Sequence, residues 1–132
     1  MAVWGIGATW DGKDVSKEFV GYSTAAIGYN EEDKDTYHKL MRELVCVGDL
    51  IFIKSKFIQN GRLDVKAIGI VTNTDLCVAN GYAGQDGIKV YWIKNLTDNP
   101  VRIHSHNEGG STTTFYQEKE LPVIREIVNL LY

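Results

Sequence analysis

Between Val47 and Asn73 the chain reads VGDLIFIKSKFIQNGRLDVKAIGIVTN, two long apolar runs around one turn. Leu50 to Phe57 opens with consecutive apolar residues and then alternates through Lys54 and Lys56. Asn60-Gly61 is a pair that adopts positive φ easily, which predicts a hairpin. Leu63 to Thr72 is the returning strand. Its centre, Ala67-Ile68-Gly69-Ile70-Val71, is apolar at successive positions and predicts burial on both faces. Gly48-Asp49 sets a turn just before the first strand. A hairpin buried on both sides needs other elements wrapped around it.

The remaining pattern supplies them. Val3 to Ala8 is a short strand, interrupted by Thr9-Trp10-Asp11-Gly12. Asp14 is placed to cap a short helix with Val15 and Phe19 on one face, and Gly21 ends it. Ser23 to Tyr29 is a strand of small residues that permits close packing. Asn30 caps a longer helix with Glu31, Glu32 and Asp33 in its first turn. Tyr37, Leu40, Met41 and Leu44 fall at helical spacing and form one stripe. Thr74 to Gly87 reads as a long polar connection, the kind of segment that is mobile or functional. Ile88 to Ile93 is a strand, Asn95 to Pro100 a turn, Val101 to His104 a strand and Ser105 to Gly110 a loop. Thr112 to Gln117 alternates as a strand. Pro122 opens the last helix, with Ile124, Ile127, Val128 and Leu131 as its stripe. The expected core is Ile51, Ile53, Ile68, Ile70, Leu40, Leu44, Ile124 and Val128.

The predicted order is β-α-β-α-β-β-β-β-β-α. Many short strands with irregularly placed helices predict an α+β protein, a small mixed β-barrel with two or three flanking helices. A length of 132 residues accommodates one domain spanning 1–132. A hydrophobic share of 44% and a charged share of 23% are those of an ordinary globular protein. No apolar run is long enough to cross a bilayer, and Met1-Ala2-Val3-Trp4-Gly5 lacks the features of a signal peptide. The chain is therefore expected in the cytoplasm, with Cys46 and Cys77 reduced. A net charge of −3 argues against coating nucleic acid through phosphate neutralisation alone.

Four segments, taken in order, resemble the PUA-like superfamily, which includes the EVE, YTH and ASCH domains. They are Gly7-Ala8-Thr9-Trp10 before a short helix, the strand Ala25-Ala26-Ile27-Gly28-Tyr29, the helix end Val47-Gly48-Asp49-Leu50-Ile51-Phe52, and the return strand Ala67-Ile68-Gly69-Ile70-Val71. Val90-Tyr91-Trp92-Ile93 is also similar to a strand of the PUA-like domains fused to bacterial restriction systems. The resemblance implies a reader of nucleic acid or of a nucleotide containing a modified base, bound in a pocket at the barrel mouth. A base taken from its stack must be restacked on an aromatic face and hydrogen-bonded at its edge.

On that reading Trp10 stacks on the base, and Thr9 and Ser55 contact its edge. Lys54 or Lys56 holds phosphate, Tyr29 closes a cage with Trp10, and Trp92 lines the wall. The structural alternatives are a Trp10 that plugs the barrel end, a core Trp92, and lysines that protect a strand end. Trp4, inside the first strand, is expected in the core.

Two other functional classes remain open. A nucleotide hydrolase would use His104, His106 and a carboxylate such as Asp11. A protein-interaction module would use the outer face of the last helix. Gly5-Ile6-Gly7 and Gly109-Gly110-Ser111-Thr112 lack the setting of a phosphate loop, and no cofactor motif is present. His104 and His106, at i and i+2, share a strand face but have no third ligand in matching context. Replacing both with Ala should leave metal content and thermal stability unchanged. Stoichiometric zinc in the wild type, lost in that double variant, would favour the hydrolase.

Overall fold

The computed structural model describes residues 1–10, 12–27, 39–41, 43–57, 62–78, 86–104 and 114–132. Within them the chain forms a mostly-β protein, a mixed, strongly curled half-barrel sheet flanked by short helices. The strands are β1 (Val3–Gly7), β2 (Thr9–Trp10), β3 (Lys13–Asp14), β4 (Thr24–Ala26), β5 (Leu50–Phe57), β6 (Arg62–Val78), β7 (Asp86–Asn95), β8 (Val101–His104) and β9 (Phe115–Glu118). The helices are α1 (Ser16–Gly21), α2, of which 39–41 and 43 are described, and α3 (Leu121–Asn129). The main sheet runs β4-β7-β6-β5-β1-β9, and β8 pairs with the first part of β6. β2 and β3 form a separate ribbon.

The β5–β6 pair is antiparallel, as the two apolar runs predict, with Leu50 opposite Ile70 and Phe57 opposite Arg62. The Asn60-Gly61 turn lies outside the described residues. β1 lies parallel to β5 and antiparallel to β9. The central strands are covered on both faces. Trp4, Ile6, Ile51, Ile53, Ala67 and Val71 join a first core with Phe19, Met41, Ile88 and Val90. Val3, Leu50, Phe52, Leu63, Val65 and Ile68 join a second core beneath α3. Alternation along β1 and β5 assigns neighbouring residues to opposite cores.

A bulge changes that alternation in β6. Ile53 pairs with Ala67 but Lys54 pairs with Val65, so Lys66 is an extra residue. Val65 therefore serves the second core and Ala67 the first. The bulge also turns the Lys66 amine to Asp14 of the ribbon, 2.9 Å away.

Three expectations need correction. β6 continues to Val78 and β7 begins at Asp86, so much of the expected 74–87 connection is paired strand, with Cys77 opposite Gly87. Thr72, Asn73 and Asp75 are exposed, and their polarity gives strand ends the look of a loop. Leu44, whose amide closes the last turn of α2 on Leu40 O at 3.0 Å, is 54% exposed, while Met41 is buried and Leu40 half-buried. In α3 the buried stripe is Val123 and Ile127, with Ile124 and Val128 half-buried beside it.

The turn at Gly48-Asp49 is tied by the Asp49 side chain, which is buried. Its Oδ1 accepts from the Ala2 amide at 3.0 Å. Its Oδ2 accepts from the Trp4 indole at 3.0 Å and from the Cys46 amide at 2.9 Å. Asp49 O accepts from the Val71 amide at 2.9 Å. Burial works to raise the carboxyl's pKa, but the donors from Ala2, Cys46 and Trp4 outweigh it and hold it below the ordinary value. This contribution is present above the ordinary Asp range and is lost as pH falls through the depressed folded value. Asp49→Asn should cost about 1–3 kcal/mol at pH 7, since an amide cannot satisfy the same donors. Urea melts at pH 7 and pH 3 check both points: the gap between variant and wild type should shrink in acid.

Candidate aromatic surface at the N-terminal ribbon

The interruption after β1 is a small hairpin. Thr9 pairs with Asp14 and Trp10 with Lys13, and Gly12 turns the chain at a φ of 79°. The Asp-Gly dipeptide is the sequence signal for such a turn. Asp14 then redirects the chain into α1: its Oδ1 accepts from the Ser16 amide at 2.8 Å and the Ser16 hydroxyl at 2.6 Å. The helix cap itself is Val15, so Asp14 acts one position before the expected cap. Burial alone would raise the Asp14 pKa, but Lys66 and Ser16 together bring it below its ordinary value.

Trp10 is half-buried and packs against the first core. Its ring meets Phe19 edge-on, with centroids 5.7 Å apart and planes at 65°. Thr9, beside it, is exposed. Trp92 reaches the same helix from β7, and its indole donates to Phe19 O at 3.0 Å and Thr24 O at 3.2 Å. The structure thus brings Trp10 and Trp92 together around Phe19.

Lys54 is placed elsewhere. It is 7% exposed, and its amine lies 5.5 Å from the centroid of Tyr116, a second-core residue. That ring lies across Gly5, where an added Cβ would come within 2.7 Å of it. Lys54 and Trp10 therefore occupy opposite faces of the sheet. Ser55 is half-buried and sits opposite Asp64 on β6. The Lys56 backbone pairs with Leu63, but its side chain lies outside the described residues, as do Tyr29, Asp11 and His106. The His104 backbone pairs with Arg62 at the end of β8, and its side chain is also outside them. Trp4 is buried in the first core, stacked on Phe115 at 5.2 Å.

The cation nearest Trp10 in the ribbon is Lys13, which the sequence reading did not single out. Its side chain is 73% exposed and lies 4.0 Å from Glu18. Lys17, on α1, pairs with Asp98 at 2.9 Å in an equally open setting. Such exposed pairs hold their partners weakly and exchange them readily. The ribbon therefore carries an aromatic ring with an accessible ammonium across from it, and next to the ring in sequence the exposed Thr9. Among the described residues, no three His, Cys, Asp or Glu side chains converge as a metal site. No described helix is long and apolar enough to cross a membrane.

A scan against protein-family models and a search of curated proteins found no match to this chain.

The two indoles should respond differently to truncation of their polar edge. Trp92→Phe deletes the donor to two carbonyls and should cost about 1–2 kcal/mol in urea unfolding. Trp10→Phe retains an aromatic contact with Phe19 and should cost less than Trp92→Phe. Equal losses would mean that Trp10 is as much a structural plug as Trp92.

Proposed function

We propose that this chain is a PUA-like binding module that accepts a modified or flipped nucleobase, or a nucleotide derivative. The observation that carries this reading is Trp10: partly exposed on a ribbon outside the main sheet, and braced from one side by Phe19. A braced, partly exposed ring is a suitable platform for stacking one base. Thr9, exposed on the same ribbon, contacts the base edge. The curled half-barrel and the order of its elements support the family reading.

The phosphate contact falls to Lys13 in this proposal. Lys54 is buried on the far face and does not share the surface of Trp10. Trp92 acts as a wall, because its indole N–H is already engaged by two carbonyls. With a net charge of −3, affinity comes mainly from the stacked base and only secondarily from the phosphate.

Titration of modified and unmodified nucleotides and short single strands, followed by tryptophan fluorescence, tests this directly. Trp10→Ala should weaken binding by about 1–3 kcal/mol, and Trp10→Phe should recover part of that loss. Lys13→Ala should flatten the dependence of binding on salt without changing base preference. A folded Trp10→Ala variant that binds every ligand as the wild type does would remove the proposal.

A further inference from the structure

The end of β9 carries an unusual group. Glu118 is 2% exposed, and neither of its carboxyl oxygens has a hydrogen-bond partner among the described residues. One carboxyl oxygen of Glu120 and the hydroxyl of Tyr116 are also buried without a partner. Glu120 is the residue from which α3 starts, and its carbonyl accepts the Ile124 amide at 3.0 Å. Two carboxyl groups thus meet at the corner where β9 becomes the helix that covers the second core. A buried carboxylate with too few donors is costly, and the acid form avoids the cost.

The groups around Glu118 do not supply a full counter-charge. On β9, Tyr116 faces the same core; its hydroxyl and the Glu120 amide stand close enough to the carboxyl to work toward lowering its pKa, and burial with the Glu120 charge outweighs them. From the corner comes Glu120, which repels a second negative charge. From β5 comes Lys54, whose amine lies over the Tyr116 ring. β1 presents Val3, directly opposite Glu118, and Gly5. α3 turns Val123 and Ile127 inward and leaves Arg125 and Glu126 exposed.

The geometry points to a proton latch: a proton held at Glu118 beside Glu120 keeps α3 docked on the second core, and its loss loosens that helix. Burial first, and Glu120 second, raise the Glu118 carboxyl to about 7. The sign follows. The docked state binds the proton between the ordinary Glu range and about 7, so docking weakens as pH rises through that interval and levels off above it.

Hydrogen exchange of the intact chain tests the latch, read at the Ile124 and Leu130 amides, which bond to Glu120 O and Glu126 O. After correction for intrinsic rates, exchange there should speed up about tenfold between pH 6 and pH 8, from the difference between docked and released carboxyl titration. The Val71 amide, in the first core, should show no such change. Glu118→Gln, neutral at every pH and equal in size, should show slow α3 exchange at both. Unchanged protection in the wild type, or the wild-type pH dependence persisting in Glu118→Gln, would overturn the proposal. Addition of millimolar calcium at pH 8 separates proton from cation. No effect supports the latch, whereas restored protection would assign the corner to a cation and overturn it.

Discussion

Asp49 joins three parts of the chain that are remote in sequence. It receives hydrogen bonds from the N-terminal segment at Ala2 and Trp4 and from the approach to β5 at Cys46, while its own carbonyl receives the Val71 amide of β6. The parallel β1–β5 register starts one residue away, with Val3 opposite Leu50. A carboxylate that is buried can persist only if donors surround it, and each donor here belongs to an element whose placement matters. The short run Gly48-Asp49-Leu50 therefore has a physical meaning. The turn delivers one acceptor to the point where the N-terminal strand enters the sheet, and the two cores on either side of β1 and β5 depend on that entry.

Much of the central sheet was legible because local signals agreed with the final packing. The apolar runs of β5 and β6 and the turn pair between them specify a hairpin, and successive apolar positions in Ala67 to Val71 report two covered faces. Errors arose where polarity misrepresents position. Exposed Thr72, Asn73 and Asp75 belong to a strand whose side chains face water. Leu44 keeps the helical spacing of its stripe and sits at the end of the last turn of α2, where it faces water. Helical spacing alone does not mark where a helix leaves the core, and an apolar residue at its last turn reads as buried.

The aromatic surface was only partly legible. Trp10 stood out because it lies outside any apolar periodicity, and the structure places it partly buried at a hairpin. Lys13 was detectable in principle from the Asp-Gly turn, which sets it across from Trp10. Lys54 was not. Its charge suggests a surface, but its environment is made by Tyr116 and Gly7, which are distant in sequence and come together only through the β5-β1-β9 order. A lysine stem covers apolar surface readily, so alternation alone cannot assign its ammonium to water.

The position of β1 also bears on how the chain acquires its shape. β5 and β6 are neighbours in sequence, and their pairing closes a short loop. β1 must instead find β5 across more than a third of the chain and β9 across nearly all of it. Contacts between distant segments are formed at a larger entropic cost and slow the search for the native topology. The hairpin is thus the inexpensive start of this fold, and β1 is the strand whose arrival commits it. Until then the inner edge of β5 presents unpaired backbone groups, which makes the partly formed sheet a template for the wrong strand as well as the right one.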